Sequence, residues 1–419
     1  MRWTYRCPSC GAEYPIEPGR YLCGPCAAKR RPGSPLEGVL ECHFVDEPAE
    51  ADLACGRYAI PLPVERRFFP PIPVGDTPLW APERLREELG FPGLFVKDDT
   101  CEPTGSFKDR ASWLVAAFAR KHGIREIALA STGNAASSMA GVGAAAGLDI
   151  TVFLPAKAPV AKRIQVLQYG ARLNQVEGTY DVAFEESLAY SEKTGTLSRN
   201  TAYNPLTIEG KKTVSFEMAK QLAEVDAAVV SEAADRLIAE RSSAPSGAWK
   251  APDEVFVPTG DGVIIAGVYR GFEDLMRLGR IRKVPRIWAC QAAGSSAIAR
   301  ALARCADGKE AEDAFGEVVP SDTIADSISV DVPRNGAYAL RKLLKYGGRA
   351  VVVSDAEILE AQRSLASKAG LFAEPSSSAA LAGFLKAKAE IDPGAKVVLL
   401  VTGSGLKDIK SAAKGLGLE

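Results

Sequence analysis

The sequence predicts an α/β fold of two doubly wound, mostly parallel sheets, preceded by a small cysteine-rich segment. Three observations predict it. From about residue 80, short apolar runs alternate with helix-length segments, the pattern of successive β-α units. Small polar stretches containing glycine fall at the ends of those apolar runs, where α/β proteins place ligands. Four of the nine cysteines stand near the N-terminus as two CxxC pairs.

A chain of 419 residues suggests two or three domains, at roughly 150 residues each. A hydrophobic content of 47% is ample for a large core. The formal charge of −1 gives no electrostatic reason to expect nucleic acid or an anionic membrane as partner. No apolar run approaches the ~18 residues a membrane span needs. Met1 to Arg6 lead straight into a cysteine pair rather than a signal peptide's apolar core, so a cytoplasmic protein is expected. His43 and His122 are the only histidines, and neither sits in a motif. Acid–base chemistry must then come from other side chains or a cofactor, which argues against a Ser-His-Asp hydrolase and a His-rich metalloenzyme.

The elements follow in chain order. Cys7-Pro8-Ser9-Cys10 is separated by twelve residues from Cys23-Gly24-Pro25-Cys26. Two such knuckles suit a tetrahedral zinc site, with Tyr5, Tyr14 and Tyr21 flanking them. A metal-free ribbon is the alternative, and disulfides are disfavoured in a reducing compartment. Cys42, Cys55, Cys101, Cys290 and Cys305 are scattered and read as buried apolar residues. Residues 27–78 read as irregular, with proline-rich stretches. Strands are then expected at 94–96, 127–130, 150–154, 172–176, 254–257, 286–291, 350–353 and 396–401. Helices are expected at 112–120, 135–146, 161–169, 181–193, 209–224, 264–278, 355–368 and 377–390. An inserted helix at 227–240 and a flexible loop at 241–247 complete the pattern, within an insertion of unassigned role at 227–250.

Four of the strand–helix junctions carry chemistry. In Pro103-Thr104-Gly105-Ser106-Phe107-Lys108-Asp109-Arg110, one lysine follows a glycine turn at the entrance of an apolar helix. Lysine is the side chain that forms imines and then carries protons as the freed amine; a surface lysine in a charged run is the plainer reading. Ser131-Thr132-Gly133-Asn134 forms a small polar loop running into a helix, a cradle for an anion or carboxylate. Pro258-Thr259-Gly260-Asp261-Gly262-Val263 lets N–H groups converge at a helix start, as a phosphate site needs, although close strand–helix packing explains the glycines equally well. Asp261 would have to offer its backbone rather than its carboxylate. Thr402-Gly403-Ser404-Gly405 ends the last strand; its hydroxyls would serve either a neutral ring nitrogen or a helix cap. Upstream, Glu374 and the Ser376–Ser377 pair read equally as a solvated carboxylate and an N-cap.

In combination and order, these segments, with Thr323-Ile324-Ala325 and Glu374-Pro375-Ser376-Ser377-Ser378-Ala379, resemble the fold-type-II, tryptophan-synthase-β-like enzymes that use pyridoxal 5′-phosphate. The resemblance covers roughly residues 70–412 and is strongest to the threonine synthase family, part of which also carries a CxxC ribbon. It implies a ribbon at 1–45, a large cofactor-binding domain at 46–122 and 207–419, and a small inserted domain at 123–206 that closes on the substrate, the cofactor lying in the cleft between the two sheets. Lys108 would hold the cofactor aldehyde and then shuttle protons. Asn134 would bond the cofactor's 3′ oxygen, and Gly260, Asp261, Gly262 and Val263 its phosphate. Thr402 would face the ring nitrogen. Ser131, Thr132 and the N–H groups from Ala135 on would grip the substrate carboxylate. The implied protein is a homodimeric lyase converting O-phosphohomoserine and water to threonine and phosphate.

Two positions depart from that family. Where it places an Asn and an Arg for the substrate phosphate, this chain has Thr179 and Glu185. A carboxylate there would repel a dianion. An ammonia-lyase on serine or threonine, or a β-replacement enzyme, therefore stands beside the synthase reading. A zinc-ribbon binding protein with an inert α/β body is the alternative of another class, and Lys108 argues against it.

Overall fold

The computed structural model describes residues 1–46, 58–156, 160–178, 180–234 and 249–418. The N-terminal segment forms a three-stranded antiparallel sheet of β1 (Trp3–Arg6), β2 (Glu13–Pro15) and β3 (Glu41–Phe44), in the order β2-β1-β3. β3 lies inside the stretch expected to be irregular. Its side of the ribbon packs on the body: Leu36 and Val39 join Val263, Ala266 and Tyr338 in one apolar cluster.

The chain then lays down β4 (Leu79–Trp80) and β5 (Leu94–Asp98). It crosses through the helix Lys108–Lys121 and builds β6 (Glu126–Ala130), β7 (Asp149–Pro155), β8 (Arg172–Val176) and β9 (Leu197–Ser198). These four pair in parallel as β8-β7-β6-β9. The chain returns to the first sheet with β10 (Glu254–Pro258), β11 (Arg286–Ala292), β12 (Arg349–Val353) and β13 (Val397–Val401). The larger sheet runs β12-β11-β10-β13-β5-β4, parallel except at the β4–β5 edge. Every residue of β5, β10 and β13 is buried. Strands covered by helices on both faces read as continuous apolar runs, which is how they show in the sequence.

The expected helix 209–224 is two helices, Leu206–Lys211 and Thr213–Ala234. The hydroxyl of Thr213 takes the Gly210 carbonyl at 3.0 Å and so competes with the helical ladder at the break. The second helix runs through 227–234 without interruption, because no glycine or proline stops it; residues 235–248 of the expected insertion lie outside the described residues. The Lys108 helix packs on both the Leu206–Lys211 and the Asn134–Ala146 helices. At Gly210 a Cβ would stand 2.3 Å from the Arg110 carbonyl oxygen, so only glycine permits that approach. The helix carrying Lys108 is thus clamped between those two helices.

Candidate active site

Lys108 owes its position to a backbone seam. Gly105, at φ +77°, turns the chain, and its N–H donates to the Glu102 carbonyl at 2.7 Å. Phe107 N–H then donates to the Thr402 carbonyl at 2.9 Å, and Ser404 N–H to the Gly105 carbonyl at 3.0 Å. The end of β13 is thereby stitched to the first turn of the Lys108 helix, which starts four residues before the expected 112. Among the described residues, the Lys108 amine has no hydrogen-bond or ion-pair partner. Burial pushes its pKa below the ordinary lysine value; Asp261 and Glu374 oppose that shift, and the Arg199 charge adds to it.

Asn134 opens the helix Asn134–Ala146 after β6. Its Nδ2 donates to both oxygens of Glu374 at 3.0 Å and to Ser327 Oγ at 3.1 Å. Glu374 is therefore a buried member of the site, not a solvated carboxylate. Burial raises its pKa, with the Asn134 bond and the charges of Lys108 and Lys407 pulling the other way. Ser131 Oγ accepts the N–H groups of Gly133 and Ala136, both at 3.2 Å, and so shapes the loop. Asn134 and Ala135 stand in the first helical turn, where N–H groups lack intrahelical acceptors and attract an anion. Thr132 lies in the same loop. Lys407 reaches that helix from the β13 side, donating to Ser137 Oγ at 3.2 Å and to the Thr104 carbonyl at 2.8 Å.

The loop after β10 caps the helix Val263–Arg277, with Gly262 at φ +87°. A Cβ on Gly260 would meet Ile328 Cα at 2.8 Å, so packing requires that glycine. Asp261 Oδ1 accepts the Val263 N–H at 3.1 Å. The carboxylate thus competes for one of the N–H groups expected to hold a phosphate. At the end of β13, Thr402 and Ser377 hydroxyls meet at 3.0 Å, and Thr402 N–H donates to Ser377 Oγ at 3.2 Å. Glu374 takes the N-cap position of the helix Pro375–Ala387 without a side-chain cap bond. Ser377 therefore serves Thr402, and Ser376 Oγ accepts the Ser327 N–H.

Two buried cations were not legible in the sequence. Arg199, just after β9, reaches Ser112 Oγ at 3.3 Å; Ser112 lies four residues after Lys108, on the same helix face. Lys211 ends the helix Leu206–Lys211 and responds to the charges of Arg199, Lys108 and Asp261. Glu185, by contrast, is exposed and lines a surface cavity with Tyr21, Glu192 and Tyr203. Tyr180 of the same helix donates to the Ala130 carbonyl at the end of β6. Thr179 lies outside the described residues. His43 bonds Glu41 in the ribbon, and His122 packs on Phe118.

In the ribbon, the Cys7, Cys10, Cys23 and Cys26 sulfurs all lie within 4.8 Å of one another, with Cys7–Cys26 at 3.8 Å and Cys10–Cys23 at 3.6 Å. A zinc tetrahedron with ~2.3 Å bonds has sulfur–sulfur edges of ~3.8 Å, so the four thiols fit that ion. Burial raises the Cys23 thiol, but bonds from the Tyr14 hydroxyl, the Cys26 backbone and neighbouring thiols outweigh it and bring the pKa down to about 7.

A partnerless lysine amine, a polar helix start, a glycine loop and a hydroxyl pair thus stand at the strand ends, and a carbonyl cofactor bearing a phosphate would use all four. The chain belongs to the family of pyridoxal-phosphate dependent enzymes, whose profile matches residues 72–234 and 237–403. Within that family it is similar to threonine synthases. That of Methanocaldococcus jannaschii is 32% identical over 98% of this chain and 94% of its own. That of Halalkalibacterium halodurans is 33% identical, over 81% and 84%. Among solved structures, the processed threonine deaminase isoform 2 of Solanum lycopersicum shares the fold, with a TM-score of 0.63 at 21% identity, covering 82% of this chain and 87% of that one.

Proposed function

We propose that the chain is a threonine synthase, converting O-phosphohomoserine and water to threonine and phosphate. The observation that carries this reading is where Glu185 falls. The residue that argued against a phosphorylated substrate faces an outer cavity with Tyr21 and Tyr203, so its charge does not bar the cleft. Similarity to threonine synthases over nearly the whole chain supports the same reading.

The donor set fits pyridoxal 5′-phosphate: a partnerless Lys108 amine, a Ser377–Thr402 hydroxyl pair and a buried Arg199 nitrogen without an acceptor. Bound there, the cofactor would supply the electron sink for a carbanion beside the amino nitrogen. Lys108 would take and return protons, helped by an amine pKa already below its ordinary value. Asn134 would turn from Glu374 to the cofactor's 3′ oxygen. Ser131, Thr132 and the N–H of Ala135 would hold the substrate carboxylate, and the 260–263 loop the cofactor phosphate. Thr402, a neutral partner for the ring nitrogen, would moderate the sink and disfavour transamination. In Thr402→Ala, kcat should fall about tenfold while cofactor Kd stays within about threefold. Equal losses in both would place Thr402 in cofactor binding instead.

Residues 123–206, which contain β6–β9, would act as the closing domain, excluding water from the cleft. A cytoplasmic homodimer belongs to the same proposal; none of the described helices is long and apolar enough to cross a membrane. Cys7, Cys10, Cys23 and Cys26 would hold a structural zinc ion. Because the ribbon packs on Val263 and Ala266, which open the helix after the glycine loop, stripping zinc should lower Tm by about 5 °C or more and weaken cofactor binding. A chelator that leaves Tm unchanged, with metal analysis showing no zinc, would remove the ion from this account.

The deciding experiment supplies O-phosphohomoserine, serine and threonine separately and measures phosphate, threonine, ammonia and keto acid. Phosphate with stoichiometric threonine is expected. Ammonia and keto acid from serine or threonine, with none of the former, would redirect the site to β-elimination.

A further inference from the structure

Seven lysine and arginine residues are buried among the described residues: Lys97, Arg110, Arg199, Lys211, Lys212, Arg270 and Lys342. Five of them meet a carboxylate: Lys97 meets Glu217 at 2.6 Å, Arg110 Asp99 at 2.6 Å, Lys212 Asp274 at 2.7 Å, Arg270 Glu273 at 2.9 Å and Lys342 Glu273 at 2.8 Å. Arg199 and Lys211, both 0% exposed, have no carboxylate partner among the described residues. Lys211 donates one bond, to the Thr207 carbonyl at 3.1 Å. Arg199 spends Nε on Ser112 and Nη1 on Thr201 at 2.6 Å, while its buried Nη2 has no acceptor.

Asp261 acts electrostatically on both cations, Arg199 acts on Lys211 and on Lys108, and Lys108 acts on Lys211. Arg199 also meets Ser112, on the helix face that carries Lys108, so both cations belong to the surroundings of that amine. Burying a cation without a counter-charge is costly, and a protein keeps two side by side only where something anionic joins them. The acids within reach do not suffice. Asp261 is committed to the Val263 N–H, and Asp109 accepts from Thr104. The one carboxylate facing both cations also stands in the loop that a phosphate would have to enter, so a dianion there needs extra positive charge. An arginine nitrogen without an acceptor, within electrostatic reach of a lysine amine, supplies a fork and a point charge.

We propose that Arg199 and Lys211 form a buried receptor for a phosphoryl dianion, supplying from the β9 side the charge that Glu185 does not supply from the Tyr180 helix. Burial, Arg199 and Lys108 hold the Lys211 amine well below the ordinary lysine range, with Asp261 opposing; an arriving dianion would oppose that shift further. Arg199, lowered to about 10 chiefly by burial, keeps its charge throughout at neutral pH. The phosphoryl group has two possible sources, the cofactor and an amino-acid phosphate ester. The inference rests on the cofactor family and on the geometry, not on the identity of the substrate.

The test uses Lys211→Met and Arg199→Lys. First, melting of the cofactor-free protein in phosphate-free buffer is followed. Lys211→Met should melt higher than wild type, because an apolar side chain of similar length replaces a buried amine that finds a single acceptor, the Thr207 carbonyl. A lower Tm, or failure to fold, would mean that Lys211 has a structural counter-charge and would overturn the receptor. Second, pyridoxal 5′-phosphate and pyridoxal are titrated against each protein, and inorganic phosphate against each cofactor-loaded protein. Pyridoxal 5′-phosphate weakened about 10- to 100-fold, with pyridoxal unchanged, assigns the receptor to the cofactor phosphate. Unchanged cofactor affinity with inorganic phosphate weakened to that extent assigns it to the substrate. Phosphate and cofactor affinities within twofold of wild type in both variants would refute the proposal. None of these readouts uses phosphohomoserine turnover, so a failure of the synthase reading leaves them interpretable.

Discussion

Lys108→Ala is expected to abolish turnover, by ~10³-fold or more, and to remove the yellow absorption that the cofactor shows when joined to a lysine. The expectation follows from what surrounds the amine rather than from its charge. Gly105 and the Thr402 carbonyl fix where the helix begins, and the amine there responds to Asp261 of the glycine loop and to Glu374, the partner of Asn134. Among the described residues no other lysine amine at this cleft is without a partner. Lys407 makes three hydrogen bonds, and Lys211 is bonded to Thr207. The assay is steady-state turnover beside the visible spectrum of the same preparation. Colour and activity both surviving in Lys108→Ala would sink the assignment. Added methylamine should restore part of the activity if a free amine is what the site has lost, which separates lost chemistry from lost structure.

Much of this cleft was legible in the sequence because its parts are local. A strand followed by glycine and a small polar residue looks the same in one dimension as in three, and β8 coincides with the strand expected at 172–176. What stayed hidden depends on long-range contact. Arg199 follows the two-residue strand β9, too short to show a period, and its exclusion from water comes from the Lys108 helix 87 positions earlier at Ser112. Lys211 sits in a Lys-Lys pair that reads as a solvated surface; the two neighbours diverge because Lys212 finds Asp274, 62 residues away, while Lys211 finds no acid. Glu374 looked as solvated as any glutamate until Asn134, 240 residues earlier, closed over it. Glu185, which the resemblance sets where the family places its phosphate-binding Arg, lines an outer cavity for a related reason. Sequence position placed it near the start of the right helix, but a helix turns 100° per residue, and Tyr180, not Glu185, is the residue bonded to the end of β6.

Arg110→Met is expected to cost about 3–5 kcal/mol of folding stability, the largest loss of any single substitution considered. Arg110 sits two residues beyond Lys108 and is fully buried. Its guanidinium holds Asp99 at 2.6 and 2.9 Å and Glu217 at 2.6 and 2.9 Å, and Lys97 holds the same Glu217 at 2.6 Å. Burial and the neighbouring acids push the Glu102 carboxyl well up, although Arg110 Nε lies 3.2 Å from Glu102 Oε1 and opposes that shift. Two cations thus face three carboxyl groups, Asp99, Glu102 and Glu217, across β5, the Lys108 helix and the Thr213–Ala234 helix. Methionine fills the space but leaves Lys97 alone against Asp99 and Glu217. Removing Asp99 as well, in Asp99→Leu with Arg110→Met, should recover part of the loss, since a well-packed apolar pair replaces a buried ion pair at little cost; a double variant weaker than the single would mean that packing, not charge, sets the penalty. The pH dependence supplies an independent check. Although burial alone would raise it, Arg110 and Lys97 hold Glu217 down to about 2 against an ordinary 4.5. A depressed carboxylate contributes stability that is fully present above its unfolded value and is lost as pH falls through the folded one. Urea midpoints of wild type and Arg110→Met should therefore lie furthest apart near neutral pH and converge as pH drops from about 4.5 towards about 2. A gap that stays constant over that range would show that Arg110 stabilises the Lys108 helix by shape alone.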